Sequence, residues 1–138
     1  MLATVGLFAQ EKVEDDLNFE IFCGSGAHIS KGIVLFKEIV DTHDTIALRK
    51  KLFADTKLEQ ILTAITLTYY RGNTHLRLTR NEQQKIKEIS KFKDKFSVCF
   101  TCLFYQQGTV KQLFNRKKYL ESYAIIESFL SDKLLPLT

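Results

Sequence analysis

Thiols are the side chains best equipped for chemistry in this sequence, and there are three: Cys23, alone near the start, and Cys99 and Cys102, spaced Cys-x-x-Cys. In an oxidising compartment Cys23 can form a disulfide with one member of the pair. The bond would close a loop of about 75 to 80 residues and contribute about 4 kcal/mol through the lost entropy of the unfolded chain. A Cys-x-x-Cys at a helix N-terminus can instead act as a redox centre, because the helix amides favour the thiolate. The surroundings here are different: Phe96, Val98, Phe100, Cys102 and Phe104 alternate with Ser97, Cys99, Thr101 and Leu103, which is the period of a strand. Third, Cys23, His28, Cys99 and Cys102 make a Cys3His set. Its count and softness suit structural zinc, and four protein ligands leave no open position for catalysis. Spacing does not choose among the three, and no cofactor is expected.

Other polar constellations carry less. Cys23-Gly24-Ser25-Gly26 fits no nucleophile motif and reads as a flexible corner. His28, His43 and His75 are scattered, and the adjacent Asp15 and Asp16 lie in an acidic stretch with no sign of the burial that shared-proton chemistry requires. A non-enzymatic role is the expectation.

Charge is distributed unevenly. Residues 71 to 118 hold twelve Lys or Arg against three Asp or Glu, whereas residues 1 to 70 hold seven against ten, within a net charge of +4. Arg77, Arg80, Lys85, Lys87, Lys91, Arg116, Lys117 and Lys118 are the partner-binding candidates of this segment. Such a block speeds encounter with an acidic protein, a nucleic acid or an anionic surface, and another protein of unknown identity is the partner expected here. The alternative is a nucleic acid or anionic surface bound through 71–118, with Tyr69, Tyr70, Phe92 and Phe96 as stacking aromatics. No nucleic-acid motif accompanies the charge.

Residues 2 to 9 are uncharged and mostly apolar, and pass abruptly at Ala9-Gln10 into Glu11-Lys12-Val13-Glu14-Asp15-Asp16. The run resembles the last part of a bacterial secretory signal without its basic start. That resemblance implies an exported protein, periplasmic or extracellular, with cytoplasmic residence as the alternative. Residues 1–10 are expected to be signal-like or disordered, and 11–138 a single helical domain. No uncharged run approaches the ~20 residues of a membrane-spanning helix.

The elements that must position these side chains are mostly helical. Leu17, Phe19, Ile21 and Cys23 alternate as a strand. Helical spacing follows over His28 to Val40, expected to be the central helix, then from an Asp44 cap to about Ala54, with Ile46, Leu48, Leu52 and Phe53 as its apolar set. Thr56-Lys57-Leu58-Glu59 and Thr79-Arg80-Asn81-Glu82 both fit the capping box, in which hydroxyl and carboxylate each satisfy a backbone N–H. They open helices running to about Tyr70, with Gly72-Asn73 as the stop, and to about Phe92. Helices over Thr109 to Asn115 and Lys118 to Leu130 complete the chain.

The segments Ala47-Leu48-Arg49-Lys50-Lys51-Leu52-Phe53 and Leu58-Glu59-Gln60-Ile61-Leu62-Thr63-Ala64-Ile65 resemble HEAT-type helical repeats over residues 28 to 92. The whole chain is also similar to small exported bacterial proteins of unknown role. The expectation is a mainly α fold: a compact array of about six antiparallel helices in HEAT-like pairs, with a minor two-strand element from 17–23 and 96–105. Its function would be that of an exported protein-binding or inhibitory module, with the thiol-redox or zinc site as the second alternative.

Overall fold

The computed structural model describes residues 17–23, 28–29, 31–100 and 104–115, together with 124, 126, 128 and 130. In chain order the elements are β1 (Leu17–Cys23), β2 (His28–Ile29), α1 (Lys31–Val40), α2 (Thr45–Lys50), a 3-10 turn (Lys51–Phe53), α3 (Lys57–Asn73), α4 (Arg80–Ile89), β3 (Lys95–Phe100), β4 (Phe104–Thr109) and α5 (Val110–Leu113). Helix outweighs strand, and five α-helices are present among the described residues rather than six. Residues 124, 126, 128 and 130 are also helical, with Ile126 and Leu130 buried and Ala124 and Ser128 exposed.

The two strand-like segments do pair. β1 and β3 run parallel in a constant register, from Leu17 opposite Phe96 to Ile21 opposite Phe100. A parallel pair needs a long crossover, which α1 to α4 supply. The sheet is wider than two strands, in the order β2-β1-β3-β4. The expected strand over 96–105 is two antiparallel strands, with Lys95 opposite Thr109 and Phe100 opposite Phe104. His28 and Ile29, expected to open a helix, instead form β2 against β1, across a register irregularity between Ile21 and Cys23. Backbone pairing at the sheet edge overrides helical spacing there.

The central helix is α3, not α1. Every residue from Ile61 to Leu67 is buried, including Thr63 and Thr66. Their hydroxyls donate to the carbonyls of Glu59 (2.7 Å) and Leu62 (2.9 Å), so neither is left unsatisfied by burial. α1 packs against both β1 and α3, and buries Ile33, Phe36, Ile39 and Val40 while Val34 stays exposed. Side chains from Ile33 to Leu130 join one hydrophobic cluster that includes Phe96 from the sheet.

α3 also runs past its expected stop. Gly72 and Asn73 stay helical, because the last carbonyls find side-chain donors: Asn73 Nδ2 bonds the Tyr69 oxygen at 2.9 Å and Thr74 Oγ1 that of Tyr70 at 2.6 Å. With the orphan carbonyls satisfied this way, a glycine-based termination is unnecessary.

Candidate functional site

Two junctions organise the basic half of the molecule. The first joins α2 to α4. Asp44 Oδ1 caps α2 by accepting from Ile46 N at 3.0 Å. Thr79 and Glu82 form the complete capping box of α4, with Glu82 N donating to Thr79 Oγ1 at 3.1 Å and Thr79 N to Glu82 Oε1 at 2.8 Å. The other carboxylate oxygen of the buried Glu82 faces Arg49 Nε at 3.3 Å, and the same guanidinium donates to the carbonyl of Arg77. One arginine thus ties the end of α2 to the start of α4.

The second junction is the turn at 92–94. The first two amides of α5 donate back to it, Val110 N to Asp94 O at 2.8 Å and Lys111 N to Phe92 O at 3.0 Å. Lys57, from the first turn of α3, lies 3.6 Å from the Asp94 carboxylate and 5.2 Å from the centroid of the Phe92 ring. The charge and the ring quadrupole both attract the ammonium.

The Thr56 box is only half formed. Thr56 Oγ1 accepts from Glu59 N at 3.3 Å, but the Glu59 carboxylate turns to Lys51, 3.5 Å away, instead of reaching back to the cap. A lysine brought in by the preceding 3-10 turn outcompetes the local N–H.

These pairs leave a lopsided surface. Of the three carboxylates in residues 71–118, Glu82 and Asp94 are paired with Arg49 and Lys57, cations from outside that segment. Arg77, Arg80, Lys87, Lys91, Lys93 and Lys95 are exposed, and Lys85 is half-buried. Arg80, Gln84, Lys87 and Lys91 recur at helical spacing and form an exposed ridge, bordered by the exposed Glu88. Arg116, Lys117 and Lys118 lie outside the described residues.

The aromatics named for stacking are not on that ridge. Tyr70 and Phe96 are buried and belong to the core, while Tyr69 and Phe92 are half-buried and packed against it. Burial, then the neighbouring Tyr69, raises the Tyr70 phenol above its ordinary 10.0.

The sheet register separates the thiols. Cys23 stands opposite His28, whereas Cys99 stands opposite Glu20 on one side and Tyr105 on the other. Three positions along neighbouring strands is about 10 Å, beyond the ~7 Å between Cα atoms that a disulfide bridges. Cys99 is therefore out of bonding reach of Cys23 in this register. Cys102 lies outside the described residues, so the disulfide and Cys3His readings both extend beyond them. Among the described residues no group of three or more His, Cys, Asp and Glu is placed to hold a metal. An apolar cavity of about 10 Å³ lies among Ile65, Thr68, Leu113, Phe114 and Ile126, roughly room for one water and not for an organic substrate.

Two side chains assigned to the apolar face of α2 are on the surface instead. Leu48 and Leu52 are fully buried, while Ile46 and Phe53 are 67% and 50% exposed. At 100° per residue Leu48 and Leu52 share one side of the segment, and Ile46 and Phe53 share the opposite one. Residue spacing alone dictates that angular split. No helix among the described residues is long and apolar enough to cross a membrane. Comparison with family models, with curated proteins and with solved structures finds no match to this chain.

Proposed function

We propose that this chain is a non-enzymatic binding or inhibitory module that meets an acidic protein partner through the basic ridge of α4 and the turn after it, outside the cytosol. The observation that carries this is the disposal of carboxylates. Glu82 and Asp94 are consumed by internal pairs with Arg49 and Lys57, so of the three carboxylates in 71–118 only the exposed Glu88 stands beside the cations of the ridge. A field of that kind accelerates and orients association with an acidic surface. The helical pair α3 and α4 supplies the rigid support that HEAT-like pairing implies, and export is supported by the apolar run at 2–9.

Of the aromatics named for stacking, Tyr70 and Phe96 are in the core and present no exposed ring to the bases of a nucleic acid. The test is a titration of the protein with a polyglutamate peptide and with a single-stranded oligonucleotide at about 50 and 200 mM salt, using wild type and the triple variant Arg80→Glu, Lys87→Glu, Lys91→Glu. The peptide is expected to bind wild type and to lose at least ~tenfold in affinity on the triple reversal. Tighter binding of the oligonucleotide with a steep salt slope, or indifference of the peptide to the reversal, overturns the proposal.

A further inference from the structure

We infer that β4 is a self-association edge, along which two copies of this chain pair antiparallel about a two-fold axis at Gln106 and join their four-stranded sheets. The phase of the β3–β4 ladder shows which backbone groups are open. Val110 N donates to Asp94 O, so Lys95 and Thr109 face each other as a non-hydrogen-bonded pair. Alternation along the regular register then turns the amides and carbonyls of Phe104, Gln106 and Gly108 toward β3, and those of Tyr105 and Gln107 away from it. The Thr109 amide obeys the same phase, since it donates to Gln112 Oε1 in the cap of α5 rather than to β3. With that amide taken, Tyr105 and Gln107 are the open positions of the edge, and no strand among the described residues lies beyond β4.

That pattern is its own complement. With the axis at Gln106, Tyr105 of each copy meets Gln107 of the other, and each of these pairs exchanges both of its N–H···O bonds. Charge points to a second copy as the occupant. Residues 96–110 hold no Asp, Glu, Lys or Arg and no proline, inside a segment otherwise dense in cations, so an acidic strand gains nothing there beyond backbone bonds. A neutral edge meets its copy without setting like charges opposite. The nearest strand cation, Lys95 opposite Thr109, stands roughly 20 Å from its copy in this arrangement, well past the screening length of ~8 Å. The other edge of the sheet is blunted, because β2 has two residues and the register of β1 is irregular beside it. β4 carries neither device.

Sedimentation of the full chain with reductant present, from ~10 to ~500 µM, is expected to show a reversible monomer–dimer equilibrium. Over the same range, amide exchange followed by NMR is expected to slow at least ~fivefold at Tyr105 and Gln107, whereas Gln106 and Gly108 are protected already in the monomer. Gln107→Pro removes one outward N–H from each copy and is expected to weaken association at least ~tenfold. Gln106→Lys and Gln106→Glu each set like charges opposite at the axis, so each alone is expected to stay monomeric while a mixture forms a one-to-one heterodimer. Recovery in the mixture excludes misfolding of the variants, and the exchange measurement requires no substitution. A wild-type chain still monomeric at ~500 µM, or association that continues past two copies, overturns the inference. So does a dimer whose Tyr105 and Gln107 amides exchange as fast as in the monomer, or folded Gln106 variants that fail to pair with each other.

Discussion

Glu82 shows what a single buried carboxylate can be asked to do. It is 7% exposed, accepts from the Thr79 amide on one oxygen and balances Arg49 with the other. Replacing Arg49 by Met leaves the capping bond but removes the counter-charge, and a buried anion without its partner is expected to cost about 1–3 kcal/mol. Adding Glu82→Gln should recover a large part of that loss, since the amide oxygen still accepts from Thr79 N while no charge remains buried. Urea titrations of the four members of the cycle measure the coupling, and strict additivity would show that Arg49 and Glu82 do not interact. Tyr70 gives a pH signature. Its folded phenol titrates above the unfolded value near 10.0, so its contribution to stability is intact below pH 10 and falls as pH rises through the folded value. Tyr70→Phe is therefore expected to flatten the alkaline decline in stability above about pH 10, followed by urea midpoints and by phenolate absorbance.

At the scale of elements, capping predicts which helix starts are strong. Thr79→Ala removes a reciprocal box and is expected to cost about 1–2 kcal/mol, whereas Thr56→Ala removes one 3.3 Å bond and should cost about half as much. Gly72 lies inside α3 with open space where a Cβ would stand, so Gly72→Ala is expected to add about 0.5–1 kcal/mol to unfolding. A neutral or negative effect in urea would mean that the helix ends before it. The helix starts at Asp44, Thr56 and Thr79 were legible because capping is local chemistry: the donor and acceptor are two or three residues apart. The ends were not, since Asn73 and Thr74 close α3 through side chains that in sequence look like a stop. Nor was the centrality of α3, because Thr63 and Thr66 are polar in sequence and are accommodated in the core only by hydroxyls that bond back onto the preceding turn. β2 and the division of 96–105 into two strands rest on antiparallel pairing across short intervals, His28 opposite Cys23 and Phe104 opposite Phe100, which an uninterrupted alternation hides. In the candidate site the cations were visible as a block, but the exposure of Ile46 and Phe53 was hidden by counting apolar residues rather than their angles.

For the molecule as a whole, the decisive feature is that sheet and helices share one core. Phe96 is 1% exposed and sits in the same cluster as Leu62 of α3, Leu113 of α5 and the distant Ile126 and Leu130. β1 and β3 are neighbours across the crossover that α1 to α4 supply, so their parallel pairing is a non-local contact. The ring of Phe96 is one point where the two layers meet. Phe96→Ala is expected to cost about 3–5 kcal/mol, the loss of a large buried side chain plus the cavity left behind. If the layers are one cooperative body, amide resonances from β3 and from α3 lose intensity at the same urea concentration, in wild type and, at a lower midpoint, in the variant. Separate midpoints, with α3 persisting after β3 has melted, would show that the helices form a unit independent of the sheet. In that case a partner bound at α4 would stabilise the helices alone. A coincident transition instead means that occupation of the α4 ridge raises the stability of the sheet through the common core, by the same free energy measured for the helices.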